Sequence, residues 1–236
     1  MTEANDTVIT RKERERQFRR NEIIAAAREV FTTRGFTEAT LEEIAVKAEF
    51  GKGTLYNYFQ GKEDLYAAVM ADCFDQCQQL ADTSFSNPGM PFRVNSQQFA
   101  ASLLHYFYKN LGLVSLLMGE IHMPRERSLV RERFSSLVAR LDASLTAAVE
   151  KREIKPCRTP HVAFLFIATI FSLFHKTVYE NRLCRQTDAG IKPDFTDAEI
   201  QQSIEDVLAL LDVTFYHGVL QPPVSISTNP PSTESL

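Results

Sequence analysis

The segment Thr40-Leu-Glu-Glu-Ile-Ala-Val-Lys-Ala-Glu-Phe-Gly-Lys-Gly-Thr-Leu-Tyr-Asn-Tyr-Phe59, with Gly61-Lys-Glu-Asp-Leu65 just beyond it, restricts the fold more than any other part of the chain. Thr40 with Glu43 three positions later is a capping-box pattern, which predicts a helix from Leu41. Leu41, Ile44, Ala45 and Ala48 then share one face, and the two small alanines let another helix cross close by. Glu49-Phe50-Gly51 breaks the run, with Phe50 available to plug the corner. Lys52 to Phe59 makes about two further turns with Leu55 and Phe59 inward. Gly53, Thr54 and Asn57 point the opposite way, with Tyr56 and Tyr58 on the flanks. A glycine on an outer helical face costs about 1 kcal/mol against alanine, and it lets a partner come close to the backbone. Two short helices joined by a tight turn, the second with a polar outer edge, suit the major groove of DNA.

The chemistry of that edge matches duplex DNA. Asn57 and Thr54 can exchange hydrogen bonds with base edges, while Lys52 and the tyrosine hydroxyls suit phosphate oxygens. Lys62 stands beside the acidic pair Glu63-Asp64, which suits the first turn of a following helix. That N-terminus, with Lys62 next to it, can also hold a phosphate.

The run Gly51-Lys-Gly-Thr-Leu-Tyr-Asn-Tyr-Phe59 with Lys62-Glu63-Asp64-Leu65 resembles the DNA-binding signature of TetR-type transcriptional regulators. So does the stretch Ile23-Ile-Ala-Ala-Ala-Arg-Glu-Val-Phe-Thr-Thr-Arg-Gly-Phe-Thr-Glu-Ala-Thr-Leu-Glu-Glu-Ile-Ala45 upstream. The similarity is close over about residues 19–70; beyond that only helical pattern and length agree. The resemblance implies an all-α homodimer: an N-terminal three-helix domain with a helix-turn-helix, and a larger helical ligand-binding and dimerisation domain. It implies a palindromic double-stranded operator and release by a small molecule, and it carries DNA contacts onto Thr40, Lys52, Gly53, Thr54, Tyr56, Asn57, Tyr58 and Lys62. One departure stands out. The family often has Gly-Val-Ser or Gly-Val-Ala where this chain has Glu49-Phe50-Gly51, so the left-handed position falls on Glu49 or moves to Gly51.

Charge is segregated along the chain. The formal net charge is −4, against a protein that coats nucleic acid indiscriminately. Residues 11–34 nevertheless hold eight cations against four acids, placed just before the reading pair. Arg11 to Arg20 read equally well as an arm on the DNA backbone or as a solvated helix; Arg28 and Arg34 read as solvated helix charges. The polar beginning lacks the core of a signal peptide, and the apolar run Val162–Phe174 is short for a bilayer span and fits a buried helix. Cys73, Cys77, Cys157 and Cys184 give no disulfide framework. Cys73 and Cys77 lie four apart on one helical face, where two small core residues are favoured over a redox or metal switch. A cytoplasmic protein follows, with no cofactor and no membrane partner.

The domain organisation follows from breaks in the pattern. Residues 1–10 are expected to be a disordered arm, 11–62 the helix-turn-helix domain, 63–217 the ligand-binding and dimerisation domain, and 218–236 a loose tail rich in Pro and Ser. Helices are expected over 63–85, 96–109, 111–122, 125–152, 160–182 and from Thr196-Asp-Ala-Glu199 to about His217, with no strand-like alternation. A ligand pocket is expected among Phe99, Leu103, Phe107, Leu117, Phe134, Phe166 and Phe171, with His105, Tyr106, His122 and His175 as polar handles, which suits a small apolar or aromatic effector. The last two helices expose more apolar surface than one subunit covers. A homodimer interface through Phe164, Ile204, Leu208, Leu211 and Phe215 would bury it. No phosphate loop, metal-ligand spacing or nucleophile elbow is present, which argues against an enzyme. A regulator controlled by a protein partner is the alternative.

Overall fold

Thr10 accepts a hydrogen bond from the Glu13 amide while the Glu13 carboxylate accepts from the Thr10 amide, and this reciprocal cap starts α1 (Arg11–Glu38). The computed structural model describes residues 10–119, 127–180, 184–187, 190–193 and 195–219. α1 bends at Gly35, whose φ of 76° and ψ of 168° lie in a region that favours glycine. The same reciprocal cap at Thr40 starts α2 (Leu41–Lys47), and Gly51 caps α3 (Lys52–Tyr56) without a side chain. The second element is therefore shorter than the two turns expected, and Asn57 sits at its C-cap.

The expected helical order holds through the rest of the chain: α4 (Lys62–Ser84), α5 (Phe92–Lys109), α6 (Leu111–Gly119), α7 (Arg127–Glu150), α8 (Thr159–Glu180) and α9 (Asp197–Leu211). A π-helical stretch, Asp212–Val219, continues α9. The α5 start lies four residues before the expected Ser96, because Pro91 can occupy the cap position, where no N–H is needed. One correction concerns the connection after α8. Cys184–Thr187 (β1) pairs antiparallel with Gly190–Pro193 (β2), and β2 lies against α1 and α6. The fold is thus all-α with one small hairpin, in a segment whose sequence lacks the alternation that marks a half-buried strand. The expected arm before residue 10, His122, and the tail beyond residue 219 lie outside the described residues.

Two apolar clusters make the core. The head cluster joins α1, α2, α3 and the first half of α4 around Ile23, Phe31, Ile44, Leu55, Leu65 and Val69. Phe31 and Phe36 both meet the Tyr66 ring edge-on, at 5.3 and 4.9 Å between centroids. The body cluster joins α5, α7, α8 and α9 around Phe99, Leu103, Phe107, Leu141, Phe166, Ile170 and Leu211. α4 belongs to both: Cys73 packs in the head and Cys77 in the body. Both are buried free thiols, as is expected of small core residues. The hydrogen bond between their sulfurs, with burial second, raises the Cys77 thiol, and the same hydrogen bond lowers the Cys73 thiol.

α8 is long and apolar enough to cross a membrane by length and composition. Its Val162, Ala163, Phe166, Ile167, Ile170 and Phe174 instead pack into the body cluster.

Candidate nucleic-acid interface

The helix α3 is packed onto the head through its inner face. Leu55 and Phe59 are buried in the head cluster, as their spacing predicts. Lys52, Gly53, Tyr56 and Asn57 are exposed, Thr54 and Tyr58 half-buried, and Thr40 exposed at the start of α2. The polar edge therefore faces outward along the length of α3. Gly53 gains nothing from its own fold: its backbone is helical, and a Cβ there would meet no atom within 4 Å.

The turn that aims α3 is a Schellman motif. The Phe50 amide donates to the Ala45 carbonyl at 2.9 Å and the Glu49 amide to the Val46 carbonyl at 3.1 Å. The left-handed position falls on Glu49, with φ 58°, while Gly51 keeps an ordinary φ of −68°. A side chain at that angle costs about 1–2 kcal/mol, part of which glycine would return through its freer unfolded state. Glu49→Gly is therefore expected to raise stability by about 0.5–1 kcal/mol, a melting shift of roughly 1–4 °C for a chain of this size. It also removes a carboxylate beside the reading helix, so DNA affinity should rise with it. A lowered melting temperature in calorimetry would show that the turn is not strained at Glu49.

Two of the expected phosphate contacts have partners inside the chain. Lys52 is paired with Glu42 across the turn, and this hydrogen bond raises its pKa. Lys62 donates to the carbonyls of Thr37 and Ala39 at 2.9 and 3.0 Å and lies 4.7 Å over the Phe36 ring. It thus satisfies backbone left open where α1 ends, and fastens the start of α4 to it. Thr40 is likewise engaged in its cap with Glu43. The ten-residue separation of Glu42 and Lys52 follows no helical period, so sequence spacing does not reveal it. Arg28 and Arg34, read as solvated charges, pair with Asp72 and Glu43 respectively.

The head is tied to the body along three helices. Arg28 of α1 meets Asp72 of α4, the Tyr66 hydroxyl donates to the Leu116 carbonyl of α6 at 3.4 Å, and Leu113 of α6 enters the head core. Gly112 permits the closest approach: a Cβ there would stand 2.9 Å from the Thr32 Cβ. The α4 contacts continue into the body through Asp75 with Arg133 at 2.8 Å and Asp82 with Arg140 at 2.6 Å.

Within the body the expected pocket residues separate. Phe99, Leu103, Phe107 and Phe166 are at most 2% exposed and belong to the packed core. Phe134 and Phe171 are partly buried against it. His105 and His175 are exposed, so neither is an internal polar handle in the single chain. Helical periodicity does not separate a flank residue from a lining one. Tyr106 is half-buried. Its hydroxyl lies beside the Cys73 thiol and has no conventional partner among the described residues. The Leu117 side chain, like His122, falls outside the described residues. A hollow of about 200 Å³ opens elsewhere, between the α4–α5 loop and α7, lined by Phe85, Met90, Phe92, Arg140 and Lys151 among others.

The expected dimer residues also divide. Ile204, Leu211 and Phe215 are buried within one chain and Leu208 is partly buried, so they serve the subunit core. Phe164, edge-on to Phe134 at 6.0 Å, is 50% exposed, and Leu165 of α8 is exposed at 52%; further along the chain Leu210 and Val213 are exposed at 43% and 68%. Of the residues expected at a dimer interface, Phe164 alone is exposed in the single chain.

A short helix held by Leu55 and Phe59, with its polar edge outward on a compact head, defines a helix-turn-helix DNA-binding regulator. Residues 23–69 match the sequence model of bacterial regulatory proteins of the tetR family. YhgD of Bacillus subtilis, an uncharacterised HTH-type transcriptional regulator, is 26% identical over 159 residues, covering 65% of this chain and 83% of YhgD. The HTH-type transcriptional regulator UidR of Escherichia coli K12 is 29% identical over 145 residues, covering 60% of this chain and 72% of UidR. The transcriptional regulator FadR of Bacillus subtilis, solved with stearoyl-CoA, superimposes with a TM-score of 0.65 at 21% identity, over 81% of this chain and 96% of FadR. That likeness shows the fold. Over residues 23–69 the chain thus carries the DNA-binding segment of the tetR family, and the relatives it matches over most of their length are transcriptional regulators.

Proposed function

We propose that the protein is a cytoplasmic repressor which binds a palindromic operator as a homodimer and is released by a small apolar or aromatic effector. The observation that carries the DNA-reading part is Gly53. It weakens a short exposed helix, and among the described residues no neighbour requires it, so the demand for a bare backbone comes from a partner. Thr54 and Asn57 beside it supply base-edge chemistry; Lys52, Tyr56 and Tyr58 supply phosphate chemistry. Thr40 and Lys62 contribute mainly by holding the frame on which those residues stand.

The two-fold axis is supported by the exposed set Phe164, Leu165, Leu210 and Val213, which an isologous contact would cover. Two reading helices about one helical turn apart, roughly 34–36 Å, then meet successive major grooves. Effector control is supported by the continuity of α4 through both cores. A ligand that favours one placement of α4 changes the separation of the two heads, and lowers DNA affinity by its differential binding. The Tyr106 hydroxyl, which has only the weakly bonding Cys73 thiol of α4 beside it, is the polar anchor such a ligand would find. FadR, with its bound stearoyl-CoA, illustrates the apolar class. The close packing of Phe99, Leu103, Phe107 and Phe166 favours a second reading, control by a protein partner. Selection of bound sequences from a random DNA pool tests the proposal. A two-fold-symmetric site is expected, and an enriched pool without symmetry would contradict the dimeric reading.

A further inference from the structure

Residues 11–22 lie before the region that matches the family, which begins at residue 23, yet they are helical and continuous with α1. The Thr10–Glu13 cap thus adds about three turns to the first helix of the head. At about 100° per residue, Lys12, Arg16 and Arg20 fall on the face that continues as Ile23, Ala27 and Phe31, with Arg19 adjoining. One face therefore changes from apolar, where the head covers it, to cationic, where the helix runs beyond. Arg20 marks the boundary. Its guanidinium lies 4.9 Å over the ring of Phe59, so the chain leaving α3 rests against α1 at that level.

Lys12, Arg16 and Arg19 are exposed, and among the described residues none has an ion-pair partner. Of the nearby acids Glu13 is engaged in the cap and Glu15 with Arg11 at 3.2 Å, which leaves Glu22, beside Arg19 in a shallow hollow, as the one acid near the stripe without such a partner among the described residues. Lys12, Arg16 and Arg19, with Arg14 on the flank, outnumber the one free acid Glu22 on this stretch, and the excess cations repel one another unless a polyanion lies across them. The stripe covers about 10 Å at 1.5 Å per residue.

We propose that Lys12, Arg16 and Arg19 form a second DNA contact, to the phosphate backbone flanking the bases that α3 reads; this rests on the DNA-reading proposal above. The contact is indifferent to sequence, because phosphates carry none. It adds affinity through counterion release, with a slope of about 0.9 in log K against log salt for each phosphate neutralised.

The test compares the parent with Lys12→Gln/Arg16→Gln/Arg19→Gln on a duplex recovered by selection, both trimmed to its core and extended by about one helical turn at each end. The parent is expected to bind the extended duplex more tightly. The triple variant should lose that advantage, and its salt slope should fall by up to about 2.7 per subunit, with base preference unchanged. The exchange Lys12→Arg/Arg16→Lys/Arg19→Lys should restore both. If the triple variant melts early, Arg16→Gln alone should still lower the slope by about 0.9. Equal slopes and equal flank dependence in parent and variant would overturn the stripe while leaving the reading helix intact. A parent without any sequence preference would sink both proposals.

Discussion

Phe31→Ala is expected to destabilise the protein by about 3–5 kcal/mol and to remove DNA binding with it. Phe31 is fully buried where α1 crosses α4, with the Tyr66 ring edge-on at 5.3 Å and Phe36 at 5.9 Å. Truncation removes the apolar contact and leaves a cavity that two aromatic neighbours on different helices cannot both close. Because α4 carries the head on the body, the loss loosens the aim of α3 as well as the fold. Denaturant unfolding followed by circular dichroism measures the first effect, and fluorescence anisotropy on a selected duplex the second. Phe18→Ala is the control: Phe18 is 64% exposed, and its loss should change stability by less than about 0.5 kcal/mol. A cost below about 1 kcal/mol for Phe31→Ala would mean that α1 and α4 are not joined through that ring.

The second large effect is expected at the opposite end of the molecule. Leu210→Glu with Val213→Glu places two carboxylates at the exposed apolar positions where α9 ends, two of the four proposed above for the dimer contact. Neither residue is buried in the single chain, so the fold should melt within a few degrees of the parent. In a dimer closed over that patch, both charges and their symmetry mates would be desolvated at a cost of several kcal/mol. Sedimentation should show monomers, and affinity for a two-half-site duplex should fall by at least about a hundredfold, since one reader retains half the contacts. Ile204→Glu or Leu211→Glu would act differently, by unfolding the subunit, because both side chains are buried within it. A stable dimer of the double variant would place the interface elsewhere.

Local rules carried the sequence reading further in the head than in the body. The caps at Thr40 and Thr196, the inward pair Leu55 and Phe59, and the outward Asn57 are set by neighbours within four residues, where helical period and capping chemistry suffice. What escaped depends on distant partners. The Glu42–Lys52 pair, the seat of Lys62 on the Thr37 and Ala39 carbonyls, and the approach of Gly112 to Thr32 have no signature in spacing. The turn was left open between Glu49 and Gly51 because each fits a Schellman ending with a different register, and the hydrogen bonds of Phe50 and Glu49 fix it on Glu49. In the body, a stripe such as Ile204, Leu211 and Phe215 looks the same whether it faces its own subunit or a partner. Only the packing of α5 and α8 against α9 decides. The hairpin at Cys184–Thr187 and Gly190–Pro193 lacks the alternation that would mark it as strand.

The central claim is that the outer edge of α3 reads base sequence, and Asn57→Ala tests it most directly. Asn57 is exposed at the end of α3 and has no side-chain hydrogen bond among the described residues, so the variant should fold and melt like the parent. Its affinity should be measured on the selected duplex and on a scrambled duplex of equal length at one fixed salt concentration. The account predicts a loss of about 1–3 kcal/mol on the selected site, little change on the scrambled one, and hence a collapse of the ratio between them. Equal losses on both duplexes, or none on either, would contradict it.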